Sequence, residues 1–293
     1  MSDGDEMKTM LNKCKIIVLS IVFVLMTANT VYAKAGMLLF PTRVVLDNNE
    51  RSTKLTIKNT GETRGLYRIE LVEIEIKREG GSRVLEEDED AMYSAKKISR
   101  ISPRRVLVEA NSTQSVRIAV RKPKNLEDGE YRSHIKVTML EDNVDENGRP
   151  IAVVQNDDDN FGIQIKARLV NIIPLIIRHG ETQHAVTIGE PSLKIAQSED
   201  ERTALIIPIQ RTGNRSSLGD IKVEHIDDGK NTVLKMQSGV AVYRPLEERL
   251  FELPLDVPDN ISLTKGVIKV TYTSSDSDDE EGSEFVTESS LVL

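Results

Sequence analysis

Cysteine is nearly absent, and the single one, Cys14, precedes the one long apolar run of the chain. Everything after it therefore lacks a disulfide, a thiolate nucleophile and a zinc thiolate site. Such a fold must be held by its core. Cys14 is also misplaced for lipid attachment, which needs a cysteine after the apolar run. Histidine is scarce as well. His134, His179, His184 and His225 form no H-x-x-x-H or H-E-x-x-H pair, and no G-x-S-x-G elbow, Walker loop or dinucleotide fingerprint occurs. The common metallopeptidase, hydrolase and nucleotide-binding chemistries thus have no residues to run on, and neither catalysis nor a cofactor or metal is expected. A basic excess is missing too. Lys and Arg number 39 against 47 Asp and Glu, a formal net charge of −8, which argues against a nucleic-acid partner.

What is present begins with an address. Lys13 and Lys15 precede the apolar run IIVLSIVFVLM (16–26), and Val31-Tyr32-Ala33 follows, with small side chains where a signal peptidase reads. This order predicts a secretory signal peptide over residues 1–33, its run too short to span a bilayer comfortably. The expected mature chain is exported and has no stable membrane insertion.

From residue 37 to 140 the apolar stretches are short and alternating. MLLFPTRVV, TKLTIKN, GLYRIELVEIEIK, SVRIAV and YRSHIKVTML are separated by turn formers such as Asn59-Thr60-Gly61 and Gly80-Gly81. This predicts an all-β sandwich. In the third stretch the apolar face passes from Tyr67, Ile69 and Leu71 to Val72, Ile74 and Ile76, the phase slip of a bulge. Residues 141–161 are a long acidic connection. Asn143, Asp145, Asn147 and Gly148 imitate an EF-hand opening there, but Val154 occupies the twelfth position, so a solvated hairpin loop is expected. After Gly180 the alternation restarts in AVTIG, ALIIPIQ, DIKVEHI and GVIKVTYT. Two domains follow, 34–180 and 181–293.

The chain is organised around GIQIKARLVNIIPLIIRHG (162–180). Ile163, Ile165, Ala167 and Leu169 share one face of a predicted strand, with Gln164, Lys166 and Arg168 on the other. From Val170 onward Ile172, Ile173, Leu175, Ile176 and Ile177 crowd around Pro174, which predicts burial on both faces. Proline has no N–H for a ladder, so Pro174 marks an edge, a bulge or a crossing between sheets. The first half carries an apolar row that either joins this protein's own core or is given to a partner.

Four stretches carry a resemblance: FPTRVVLD (40–47), ISPRRVLVEANSTQSVRIAV (101–120), DGEYRSHIKV (128–137) and IIPLIIRHG (172–180). Together they resemble the periplasmic pilus-assembly chaperones of the PapD-like superfamily, the last two being nearer its archaic branch. The resemblance implies two immunoglobulin-like β-sandwiches at an angle and an activity without catalysis. Such a chaperone inserts its own strand into a pilus subunit whose sandwich lacks the last one, and delivers it to an outer-membrane usher. Ile163, Ile165, Ala167 and Leu169 would then be the donor row. The resemblance also implies two basic side chains that hold the subunit's C-terminal carboxylate. Arg43, in its T-R-V setting, is the first. The best-studied members carry the second as a lysine where this chain has Pro174, so it is expected at Arg132, with Arg178 the weaker candidate. Whether the free protein covers its row by self-association stays open. Two other readings remain, an exported two-sandwich scaffold and a pilus subunit or adhesin. The latter usually needs an N-terminal donor extension, whereas Lys34-Ala35-Gly36 runs almost directly into the first strand.

Overall fold

Alternating side chains sort themselves into strands, one face toward a core and the other away. The computed structural model describes residues 36–89, 91–141, 144–145, 147, 149, 168–198, 201–274 and 286–293. The predicted signal peptide, Ile163, Ile165, Ala167 and most of the acidic connection lie outside the described residues. The first half runs β1 (Met37–Phe40), β2 (Val44–Leu46), β3 (Ser52–Asn59), β4 (Gly65–Val72), β5 (Ile74–Ile76) and β6 (Ser82–Val84). It continues with β7 (Ser99–Ser102), β8 (Arg105–Val108), β9 (Thr113–Val120), β10 (Gly129–Glu141) and β11 (Val170–His179). One sheet has the order β1-β3-β9-β7, the other β2-β11-β10-β4-β8. Pro41 and Pro103 stand where the chain leaves one sheet for the other, at β1 to β2 and β7 to β8. A residue that cannot donate to a ladder is tolerated at such a crossing. Leu55, Ile57, Val116 and Ile118 from one sheet meet Tyr67, Ile69, Ile135, Leu175 and Ile177 from the other, all fully buried.

The phase slip has a structural counterpart. β4 stays in the sheet to Val72, and β5 departs to form a hairpin with β6. Glu73, at the break, is buried and accepts hydrogen bonds from Ser94 Oγ (2.6 Å) and Ser133 Oγ (2.8 Å). The place it vacates beside β10 is taken by residues 93–95, with Arg132 N donating to Tyr93 O at 2.8 Å. In the acidic connection, Asp145 Oδ1 accepts from the backbone N–H of Asn147 (2.8 Å) and Arg149 (2.9 Å), a side-chain turn.

The second half runs β12 (His184–Ile188), β13 (Ser192–Lys194), β14 (Ala204–Gly213), β15 (Ser217–Asp227), β16 (Lys230–Val242), β17 (Glu248–Pro254), β18 (Val267–Ser274) and β19 (Val286–Val292). β12-β14-β13, with β17 also on β14, packs against β16-β15-β18-β19 around Leu205, Ile207, Val223, Ile268 and Tyr272. The fold is all-β, two immunoglobulin-like sandwiches. Among the described residues there is no α-helix, only a 3₁₀ turn at Lys96–Ile98.

Between the two cores, which end at Ile177 and resume at Val186, lies Gly180, whose φ of 65° suits glycine, and where an added Cβ would strike the Asp128 carboxylate. Asn214 spans the joint, its side-chain amide donating to Asp128 O (3.3 Å) and Glu181 O (2.9 Å). Arg211, buried, holds that turn by donating to the carbonyls of Gly213 and Arg215, both at 2.8 Å. A second tie comes from the β5–β6 hairpin. Arg78 Nε donates to Glu248 Oε1 at 2.8 Å, and Leu250 N donates to Arg78 O at the same distance.

Candidate functional site

β11 is covered unevenly along its outer edge. β2 pairs with it in parallel at Leu175, Ile176 and Ile177 only, while β10 runs along its other side from Val170 to His179. Upstream of Leu175 the outer edge has no strand among the described residues. There Leu169, Val170 and Ile172 are 36%, 42% and 39% exposed. The expectation that everything from Val170 onward is buried on both faces is thus corrected at Val170 and Ile172, and it holds at Ile173, Leu175, Ile176 and Ile177. Apolar composition could not show where the covering strand stops. Pro174, opposite His134, sits where the uncovered edge begins.

Ile173, Leu175 and Ile177 face the core. The period of two puts Leu169 on that same face, while Ile163, Ile165 and Ala167 lie outside the described residues. The first strand adds to this side. Asn171 Nδ2 donates to Met37 O (3.2 Å), bringing β1 alongside, and β1 exposes Leu38 at 58% and Phe40 at 74%. Sequence reasoning passed over both. In MLLF every residue is apolar, so the pattern does not say which pair faces out.

The other face of β10 carries polar side chains, Arg132 and His134 among them. The Arg132 guanidinium lies 4.4 Å from the centroid of the Tyr243 ring and donates to Ile74 O at 3.3 Å. Burial draws its pKa down, opposed by Tyr243, Glu130 and Glu73, and it stays a cation. Arg43 precedes β2 by one residue, at the level of Pro174 and His134. It makes no ion pair or hydrogen bond among the described residues. The Nε atoms of Arg43 and Arg132 are both buried without a partner. His134 is 8% exposed, and burial, then the Arg132 charge, pushes its pKa down to about 3.

Arg178 is placed differently. Buried at the joint, it lies between Asp47 Oδ1 (3.4 Å) and Glu130 Oε2 (3.8 Å). Glu130, also buried, accepts from Ser216 Oγ, and Ser216 Oγ accepts from Arg244 N at 3.0 Å. Arg244 stacks over the Tyr93 ring at 3.3 Å. The charge of Arg178 is thereby paired with two carboxylates of the first half, one of which, Glu130, reaches the second half through Ser216. Glu130 lies inside the DGEYRSHIKV stretch, but its role depends on Ser216 and Arg244, far away in sequence. Beside Arg132 a cavity of about 660 Å³ opens between the hairpin residues Ile74, Ile76 and Arg78 and the second-domain residues Tyr243, Arg244 and Leu246.

No family model matches this sequence, and no curated protein does. Solved structures do. One is the CsuC–CsuE chaperone–tip adhesion subunit pre-assembly complex of the archaic chaperone–usher Csu pili of Acinetobacter baumannii, at 13% identity and a TM-score of 0.46, covering 87% of this chain and 98% of the matched one. Another is the E. coli chaperone DraB, at 15% identity and a TM-score of 0.45, covering 87% and 96%. A third is the Pseudomonas aeruginosa chaperone CupB2, at 16% identity and a TM-score of 0.41, covering 87% and 100%. DraB and CupB2 are chaperones, and the first structure contains one.

Proposed function

We propose that this chain is a periplasmic chaperone for pilus subunits, which caps them by donating the edge of β11 and delivers them to an outer-membrane usher. The observation that carries this reading is the uncovered apolar margin, Leu169, Val170 and Ile172 beside Leu38 and Phe40, on a sandwich whose other large side chains are mostly buried. An apolar strand with an unpaired edge invites another strand. Inserting Ile163, Ile165 and Leu169 into a subunit groove gives roughly 5–9 kcal/mol gross, before the costs of association. Ala167 completes the row. Arg43 and Arg132 hold the subunit's C-terminal carboxylate, and Arg178 steadies Glu130 where the two domains, 34–180 and 181–293, meet through Ser216. No step of this activity is catalytic, and residues 1–33 direct export.

The test is coexpression with a pilus subunit and capture from the periplasm. The wild-type chain brings down the subunit, whereas Ile165→Asp and Leu169→Asp lose it while keeping the wild-type melting temperature. Capture at wild-type yield by both variants, or collapse of their fold, contradicts donation and returns the row to this protein's own core.

A further inference from the structure

His134 is a part of the cleft that the charged residues alone do not explain. Its side chain shares the outward face of β10 with Arg132, and its ladder partner is Pro174, at whose level Arg43 stands on the next strand. Strand spacing puts the Arg43 and His134 backbones about 10 Å apart, within reach of an arginine stem. Arg132 Nη1 lies 3.5 Å from His134 Nε2. Because a guanidinium can only donate, Nε2 accepts, and the proton of the neutral ring is on Nδ1. His134 Nδ1 is buried with no partner, as are Arg43 Nε and Arg132 Nε. Three shielded donors on one stretch of sheet are complementary to a group that only accepts, and each donor gains when such a group arrives.

We propose that His134 is a third member of the carboxylate-binding site, its Nδ1–H donating to one oxygen of a partner's terminal carboxylate while Arg43 and Arg132 supply the charge. This rests on the anchor reading given under Proposed function and adds a specificity to it. A carboxylate is read by two cations and one neutral donor of fixed direction, whereas an amidated chain end offers them a single neutral acceptor oxygen and sets an N–H donor where the second oxygen would be. Burial keeps the ring neutral, so it contributes geometry without a third charge.

Two synthetic peptides of alternating valine and threonine, identical except for a free or an amidated C-terminus, serve as probes with the full exported chain. The wild-type protein is expected to prefer the acid by about tenfold or more. His134→Asn keeps a donor near the Nδ1 position and loses the acceptor for Arg132, whereas His134→Gln does the reverse. The preference is expected to survive largely in the asparagine variant and to fall about fivefold or more in His134→Gln and His134→Leu, with affinity for the amide unchanged. If glutamine preserves it and asparagine does not, His134 only positions Arg132 and the direct contact is overturned. An unchanged preference in all three variants that collapses in Arg43→Ala removes His134 and leaves the anchor standing. Equal binding of the two peptides by the wild-type protein overturns the anchor itself, and His134 with it.

Discussion

Arg43 and Arg178 both border the short strand β2, and their surroundings give them opposite work. Arg178 is buried between Asp47 and Glu130, while Arg43 has no acidic neighbour in bonding range among the described residues. Removing one partner of a buried pair leaves the other charge uncompensated, so Arg178→Ala is expected to cost about 3–5 kcal/mol of stability. Arg43→Ala is expected to change stability by no more than about 0.5 kcal/mol and to weaken subunit capture by about 2–5 kcal/mol. Thermal melts of the two variants, with capture assays beside them, check both. Equal melting temperatures would mean that the burial of Arg178 is energetically idle. His134 supplies a pH test. In the folded chain its pKa is about 3, against about 6.5 when unfolded. Between these values the unfolded state binds more protons, so stability is complete above about pH 6.5 and drains away as pH falls. At pH 4.5 the loss from this residue is roughly 2–3 kcal/mol, and His134→Gln should abolish that share of the acid-side drop in melting temperature. A variant whose acid limb matches the wild type would show that the ring is not held neutral. At this scale the sequence spoke unevenly. The stretches around Arg43 and Arg132 singled both out as candidates, but the orphaned Nδ1 of His134 and the pairing of Arg178 are products of tertiary neighbours.

At the scale of the element, β11 joins a covered half to an uncovered one. Ile176 is fully buried on the face it shares with Arg132, where β2 continues the sheet, whereas Ile172, four residues earlier on the same face, lies on the open margin. Ile172→Asp is therefore expected to leave the melting temperature nearly unchanged, and Ile176→Asp to bury an unpaired carboxylate at a cost of several kcal/mol, enough to unfold a marginal domain. Parallel thermal denaturation decides it, and an Ile172→Asp protein that unfolds would contradict an open edge. Strand identity, the break after Val72 and the special position of Pro174 could all be read from alternation and proline chemistry. The length of β2 could not. Only pairing reveals that three residues cover β11, which is why the sequence pattern buried Ile172 along with Ile176.

For the whole molecule, the restart of alternation after Gly180 foretold two sandwiches, and separate cores around Leu55 and Leu205 embody them. Their joint was less legible, because Glu130, Asn214, Arg244 and the Arg78–Glu248 tie are polar contacts between residues distant along the chain. Much of the joint is held by hydrogen bonds and buried charge, which sets the cleft beside an apolar margin left free. That free margin is the central claim, and amide hydrogen exchange across residues 163–177, with and without a captured pilus subunit, tests it most directly. The account predicts fast exchange along the outward edge of 163–173 in the free protein, strong protection there in the complex, and protection of 175–177 in both. Slow exchange of 163–173 before any subunit is added, or no change on capture, would contradict it.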